Sequence, residues 1–201
     1  MNKIIGKISS LLGIVSHCQR NWIESKKIPE EHLNYIIEAC TDMPTKQQKD
    51  VYSLVAITDR KIIMELFETC YEEKDYARTF KRNTQVLANL LLVWIPSNSI
   101  EGTDSYGQSL GIAVGISAAA AALAGAELGY RTGFCRCINE EKSKKVLESY
   151  IGKIKKEEVP LMLGIGIPDE KFEHNVMAIN GARFGHKISD DKPNRKVYRL
   201  A

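Results

Sequence analysis

The chain has 201 residues, 44% of them hydrophobic and 26% charged, proportions that suit one soluble domain with a substantial core. Its net charge of +3 is too weak a field to argue for nucleic acid, but it suits a small anionic ligand in a locally basic pocket. The five cysteines (18, 40, 70, 135 and 137) are odd in number and scattered without a CxxC pair. They read as reduced thiols in a cytoplasmic setting, with no metal site.

Ile4, Ile5, Ile8, Leu11, Leu12 and Val15 recur at helical spacing. They predict a first amphipathic helix over about 3–19 rather than the unbroken apolar run of a signal peptide. A second helix is expected from Pro29, a residue suited to the first helical position, with Leu33, Ile36, Ile37 and Cys40 inward. A polar loop with Pro44 as its breaker follows over 41–50. Val51 to Ile57 reads as a strand. Thr58 or Asp59 is placed to cap a third helix running to about Tyr71. Val86 to Ile95 is nearly continuous in apolar residues, as a strand covered on both faces should be, and Pro96 ends it.

From Ser105 to Ala126 no side chain is charged. A helix over 109–128 would be about 30 Å long, enough to span a membrane. Its content is mostly Ala and Gly, however, which contribute little transfer energy into lipid and let other backbones approach. We read it as the buried central helix of a packed domain, closed by Gly129. Tyr130 to Phe134 then reads as a short polar turn whose backbone can come near a ligand at Gly133. Glu140 to Ile151 is expected as a charged surface helix. Leu161 to Ile167 reads as a third buried strand, with Gly164 and Gly166 marking close packing. The residues over 186–201 form a basic, polar tail. Helices interleaved with three to five strands give one three-layer domain over 1–201, α/β or α+β in class.

Neither a P-loop, GxGxxG, GxSxG nor HExxH occurs. The histidines at 17, 32, 174 and 186 show no ligand spacing. If the chain is an enzyme, a cofactor performs the reaction and the protein holds it. Three clusters are suited to an anionic cofactor: Ser16 to Arg20, Pro44 to Gln48, and Arg82 to Gln85. Arginine binds a phosphate bidentately, and the amides suit a heterocycle edge. Taken singly, the first reads equally as a solvated helix end, the second more often as a plain surface loop, and the third also as a solvated strand start.

In order, however, these clusters resemble the FMN-dependent nitroreductase family. Ser16-His17-Cys18-Gln19-Arg20-Asn21-Trp22 stands where that family has an R-x-S-x-R-x-[FW] segment. Pro44-Thr45-Lys46-Gln47-Gln48-Lys49-Asp50-Val51-Tyr52 stands where it has a P-S-x-x-N-x-Q-P-[WY] loop. Arg82 to Gln85 matches its polar segment before a strand, and Gly129-Tyr130-Arg131-Thr132-Gly133 its G-[LY]-x-[TS]-G turn. Leu163 to Pro168 looks like its closing L-G-x-P strand, and Lys192 to Lys196 like its terminal basic segment. The likeness covers about residues 3–196. The departures are Ser16 for the first Arg, Cys18 for the usual Ser, Gln48 for the loop Asn, and Asp50-Val51 for Gln-Pro.

The resemblance implies an α+β, three-layer α/β/α fold with a mostly antiparallel sheet of four or five strands around the long helix. It implies a homodimer that binds FMN between protomers, with no nucleic-acid or membrane partner. His17, Cys18 and Arg20 would lie near the phosphate and ribityl chain, with Arg195 adding charge. Thr45, Lys46 and Gln48 would reach in from the other subunit. Asn83 or Gln85 would bond the pyrimidine edge, with Arg82 competing for that role. The Thr132-Gly133 turn would bring a backbone N–H near flavin N5, and no protein side chain would be obligatory for hydride transfer. The implied activity is ping-pong transfer from NADH or NADPH, through the flavin, to a planar acceptor such as a nitroaromatic or quinone. The altered 48–51 stretch motivates an alternative, a protein that binds flavin without turnover or runs different flavin chemistry. A third reading is a helical interaction protein with a membrane-associated Ala-rich helix.

Overall fold

The computed structural model describes residues 10–15, 18–45, 48–70, 84–97, 104–136, 138–154, 161–171, 176–179 and 182–185. Helical backbone over 10–15 (α1) is followed by α2 (Glu30–Thr41), β1 (Tyr52–Ile57), α3 (Arg60–Phe67) and a 3-10 turn at Thr84–Leu87. Then come β2 (Leu90–Pro96), α4 (Asp104–Glu127), β3 (Arg131–Cys135), α5 (Glu140–Ile151), β4 (Leu161–Gly166), β5 (Val176–Ile179) and β6 (Ala182–Gly185).

Strands β1 to β4 form one sheet in the order β1-β2-β4-β3, antiparallel at every pairing. Strand β2 lies inside it and is buried along its whole length. Because side chains alternate across a strand, Leu90, Leu92 and Trp94 pack with Leu163 and Ile165 against Ile36 and Cys40 of α2 and Leu110, Val114 and Ala118 of α4. Leu91, Val93 and Ile95 point the other way, to Ile63 and Leu66 of α3, Leu147 of α5 and Met162. These are the three expected layers, with apolar burial on both faces of the sheet. Each such large side chain contributes roughly 1.5–3 kcal/mol when fully buried.

The helix limits follow from local chemistry. Asp59 accepts the Lys61 N–H at the start of α3, and Asn139 accepts that of Lys142 at the start of α5. Gly152, at φ 83°, ends α5, and Gly129, at φ 87°, follows α4 at the left-handed position that favours glycine. Pro29 is the N-cap of α2, one residue before its first turn. Ser109–Glu127 is long and apolar enough to cross a membrane, yet one face of α4 is core, packed on α2, β3 and β4. Its other face exposes Ile112 and Ile116.

Four expectations are corrected. The first helix does not reach Gln19, because Gln19 N–H donates to Thr132 O at 2.7 Å and Trp22 bridges to Pro168, which draws 19–22 along the sheet. Helix α3 stops at Phe67, where Thr69 O accepts the Asn139 N–H and Cys70 bridges to Ile138. The apolar run from Val86 becomes strand only at Leu90. Before that point the Asn89 amide donates to Ile23 O and Lys26 O and its oxygen accepts the Ile167 N–H, which holds the backbone in a turn. Finally, Tyr130 to Phe134 is no turn, since Arg131 to Cys135 pairs with β4 from Gly166 to Met162. The β5–β6 hairpin was not expected at all, and the 186–201 tail lies outside the described residues.

Candidate functional site

Three segments far apart in sequence meet at β3. The Gln19 N–H donates to Thr132 O, and the Gln19 side-chain oxygen accepts the N–H groups of Arg20 (2.8 Å) and Asn21 (3.0 Å). The Thr84 hydroxyl donates to Arg20 O at 2.7 Å, and Trp22 Nε1 donates to Thr84 O at 2.9 Å. Gln85 lies over the sheet's two glycines. A Cβ on Gly133 would meet Gln19 O at 2.7 Å and Gln85 Cβ at 3.0 Å, and one on Gly164 would collide with Gln85 O. Only glycine lets the 18–22 and 84–85 segments come this close to the strands.

A cluster of buried and half-buried polar side chains results. Arg20 and Gln85 are buried, at 8% and 3% exposure. Arg20 donates from Nη1 to Cys18 O at 3.1 Å. Cys18 is a half-buried free thiol. The Thr132 hydroxyl is the one buried side-chain N or O atom among the described residues without a hydrogen-bond partner.

The structure thus brings Cys18, Arg20, Gln85, Thr132 and Gly133 together. Strand pairing bears on the N–H expected of the Thr132-Gly133 pair. Thr132 O points away from β4, towards Gln19. A residue's N–H and C=O face the same side of a strand, so the Thr132 N–H faces the 19–20 segment and the Gly133 N–H faces β4. The Gly133 N–H is thus turned into the sheet.

Thr45 and Gln48 lie elsewhere. Their loop leads into Tyr52, which pairs with Pro96, whereas Gly133 pairs with Gly164 and that residue with Leu91. Five residues along the strand and three strand spacings across put Tyr52 and Gly133 about 20 Å apart. In the loop, the Thr45 hydroxyl donates to Lys49 O at 2.7 Å, and Gln48 adopts φ 55°. His17, Lys46, Asn83 and Arg195 fall outside the described residues, as does Arg82.

A cavity of about 520 Å³ opens beside α3. Its floor is Ile28, Leu33, Ile63 and Ala88, and its rim carries Lys26, Lys27, Glu30 and the Arg60–Glu24 ion pair. None of the residues expected to hold a cofactor lines it. No group of three or more metal-ligating side chains occurs among the described residues.

No protein-family model and no curated protein matches the sequence. Solved structures do match the backbone. A nitroreductase family protein from Clostridium novyi NT superposes with a TM-score of 0.63 at 18% identity, covering 83% of this chain and 89% of its own. The chain has the nitroreductase fold. A nitroreductase candidate from Desulfovibrio desulfuricans, solved with FMN, gives 0.64 at 12% identity over 86% of this chain and 90% of its own. An NAD(P)H:FMN oxidoreductase candidate from Staphylococcus epidermidis gives 0.65 at 11% identity over 82% and 88%.

Within that nitroreductase fold, the donor set at 18–20 and 84–85 fits an anionic, heterocyclic group. A guanidinium supplies charge and planar donors, and the Gln85 amide both donates and accepts. The sequence pointed to Arg20 and Gln85, but 130–134 was read as a turn, whereas Arg131 to Cys135 is a strand. The alternation of Arg131, Gly133 and Cys135 with Thr132 and Phe134 was the available signal.

Proposed function

We propose that the chain is an FMN-dependent oxidoreductase acting as a homodimer, which oxidises NADH or NADPH and reduces a flat acceptor such as a nitroaromatic or quinone. The carrying observation is the meeting of a buried guanidinium, Arg20, and a buried amide, Gln85, on glycine-floored strands of a nitroreductase fold. FMN, when bound, supplies a carrier that accepts and returns hydride at N5. The protein's share is to bind and orient it. Arg20, with Arg195 and His17, offsets the phosphate charge, Cys18 lies beside the ribityl chain, and Gln85 or Asn83 bonds the ring edge.

The second copy enters through the loop over 44–48. In one protomer Tyr52, where this loop ends, starts about 20 Å from Gly133, so Thr45, Lys46 and Gln48 serve a cleft shared with a partner. The exposed face of α4 supports such packing. It presents Ile112 and Ile116, 65% and 41% exposed, and an added Cβ at Gly111 or Gly115 would meet nothing. A smooth apolar face of this kind invites a partner helix.

The test is spectroscopic. Purified protein incubated with FMN and desalted should be yellow and should bleach when NADH or NADPH is added without oxygen. Sedimentation should give twice the 22.6 kDa chain mass. A colourless protein that takes up no FMN would remove the proposal, and flavin that neither nucleotide reduces would favour binding without turnover.

A further inference from the structure

Helix α2 ends in a way its own backbone cannot complete. Because α2 stops at Thr41, the Cys40 carbonyl is among the last four that find no partner within the helix, and Pro44, which has no N–H, cannot supply one. Two side chains from distant elements supply the missing donors. Ser117 Oγ, on α4, donates to Cys40 O at 2.7 Å, and the Tyr52 hydroxyl, at the start of β1, donates to it at 3.0 Å. Ser117 Oγ in turn accepts from Trp94 Nε1 at 2.9 Å. Cys40, Trp94 and Ser117 are each fully buried.

This knot stands at both ends of the loop over 42–50. Cys40 lies two residues before the loop, and Tyr52 two residues after it. Ser117 adjoins Ile116 on the exposed face of α4, so the same helix turn carries the knot on one side and the apolar face on the other. A carbonyl held by one buried and one half-buried donor cannot rotate without stranding the buried Ser117 hydroxyl out of water. The direction in which the chain leaves α2 is therefore fixed by α4 and β1.

We propose that Ser117 and Tyr52 are positioning residues: by holding the Cys40 carbonyl they set the path of the 42–50 loop, and through it the affinity of the shared cleft for FMN. The FMN part rests on the function proposed above, whereas the loop part stands on the hydrogen bonds alone.

The experiment compares Ser117→Ala and Tyr52→Phe in the full chain. A control, Ser143→Ala, removes a buried hydroxyl that bonds Thr69 at 2.6 Å on the other side of the sheet. Three quantities are read: the Tm, the rate of tryptic cutting after the exposed Lys49 without FMN, and the Kd for FMN from quenching of flavin fluorescence. The expected result is cutting after Lys49 and a Kd that each rise about tenfold in both knot variants, the scale of one buried hydrogen bond. The control should lose a similar amount of Tm and change neither. If cutting after Lys49 is unchanged in both knot variants, or rises equally in the control, the knot does not position the loop. If wild-type protein binds no FMN, the functional reading fails, and the cutting rates alone decide the knot.

Discussion

The Thr132 hydroxyl gives the sharpest test of how the site is built. Thr132 is 1% exposed, and its Oγ1 has no partner. A buried polar group left unsatisfied costs about 1–3 kcal/mol. Thr132→Val replaces that hydroxyl with a methyl of nearly the same shape and keeps the β-branch that suits a strand. The backbone bond from Gln19 to Thr132 O is untouched by the change. We expect the variant to be more stable by about 1–2 kcal/mol, which for a chain of this size raises Tm by about 2–8 °C. Urea unfolding of the FMN-free protein measures this, with an unchanged slope showing that the unfolded state is the same. Loss of stability would refute the reasoning, because it would mean the hydroxyl has a partner in solution. A fall in FMN affinity alongside unchanged stability would instead make Thr132 a ligand contact.

Gly164→Ala should fail to fold or lose more than about 3 kcal/mol, because the new methyl meets the Gln85 carbonyl in a packed sheet; Gly115→Ala, where space is open, is the control, and circular dichroism melts compare them. Burial pushes the Cys40 thiol from 9.0 up to about 11. The folded state thus holds its proton more tightly than the unfolded chain. Stability from this group is full below pH 9 and lost as pH rises through 11, by about 3 kcal/mol. Urea midpoints from pH 8 to 11 should fall more steeply for wild type than for Cys40→Ala, and parallel curves would overturn the assignment. Arg20→Ala should weaken FMN binding by about 1.5–3 kcal/mol, the range for a charged hydrogen bond; an unchanged Kd would show that this guanidinium does not face the cofactor.

Much of the fold could be read locally. Asn139 and Gly152 bracket α5 at the limits expected, and the Ala-rich run became α4 because little else in the chain combines its length with its helix propensity. The failures lie where distant residues decide. Val86 to Ala88 are as apolar as a strand requires, yet Asn89 bonds to three backbone groups from two other segments and holds the chain short of the sheet. Gly129 and Gly133 look alike in sequence, but only Gly129 has positive φ; Gly133 is there to admit Gln19 and Gln85. The β5–β6 pair was overlooked although Asn180-Gly181, the dipeptide favoured in tight hairpins, stands between the two strands. At the site, residue types were legible at Arg20 and Gln85, whereas the direction of the Thr132 and Gly133 N–H groups depends on strand pairing.

The closure at Cys40 also has a consequence for the order of synthesis. One of its donors lies 12 residues downstream and the other 77. While the chain is still emerging from the ribosome, that carbonyl has only water until Tyr52 has appeared, and its second donor comes only after more than half the protein has been made. The final turn of α2 therefore frays during translation and locks late, on a long-range contact of the kind that slows folding.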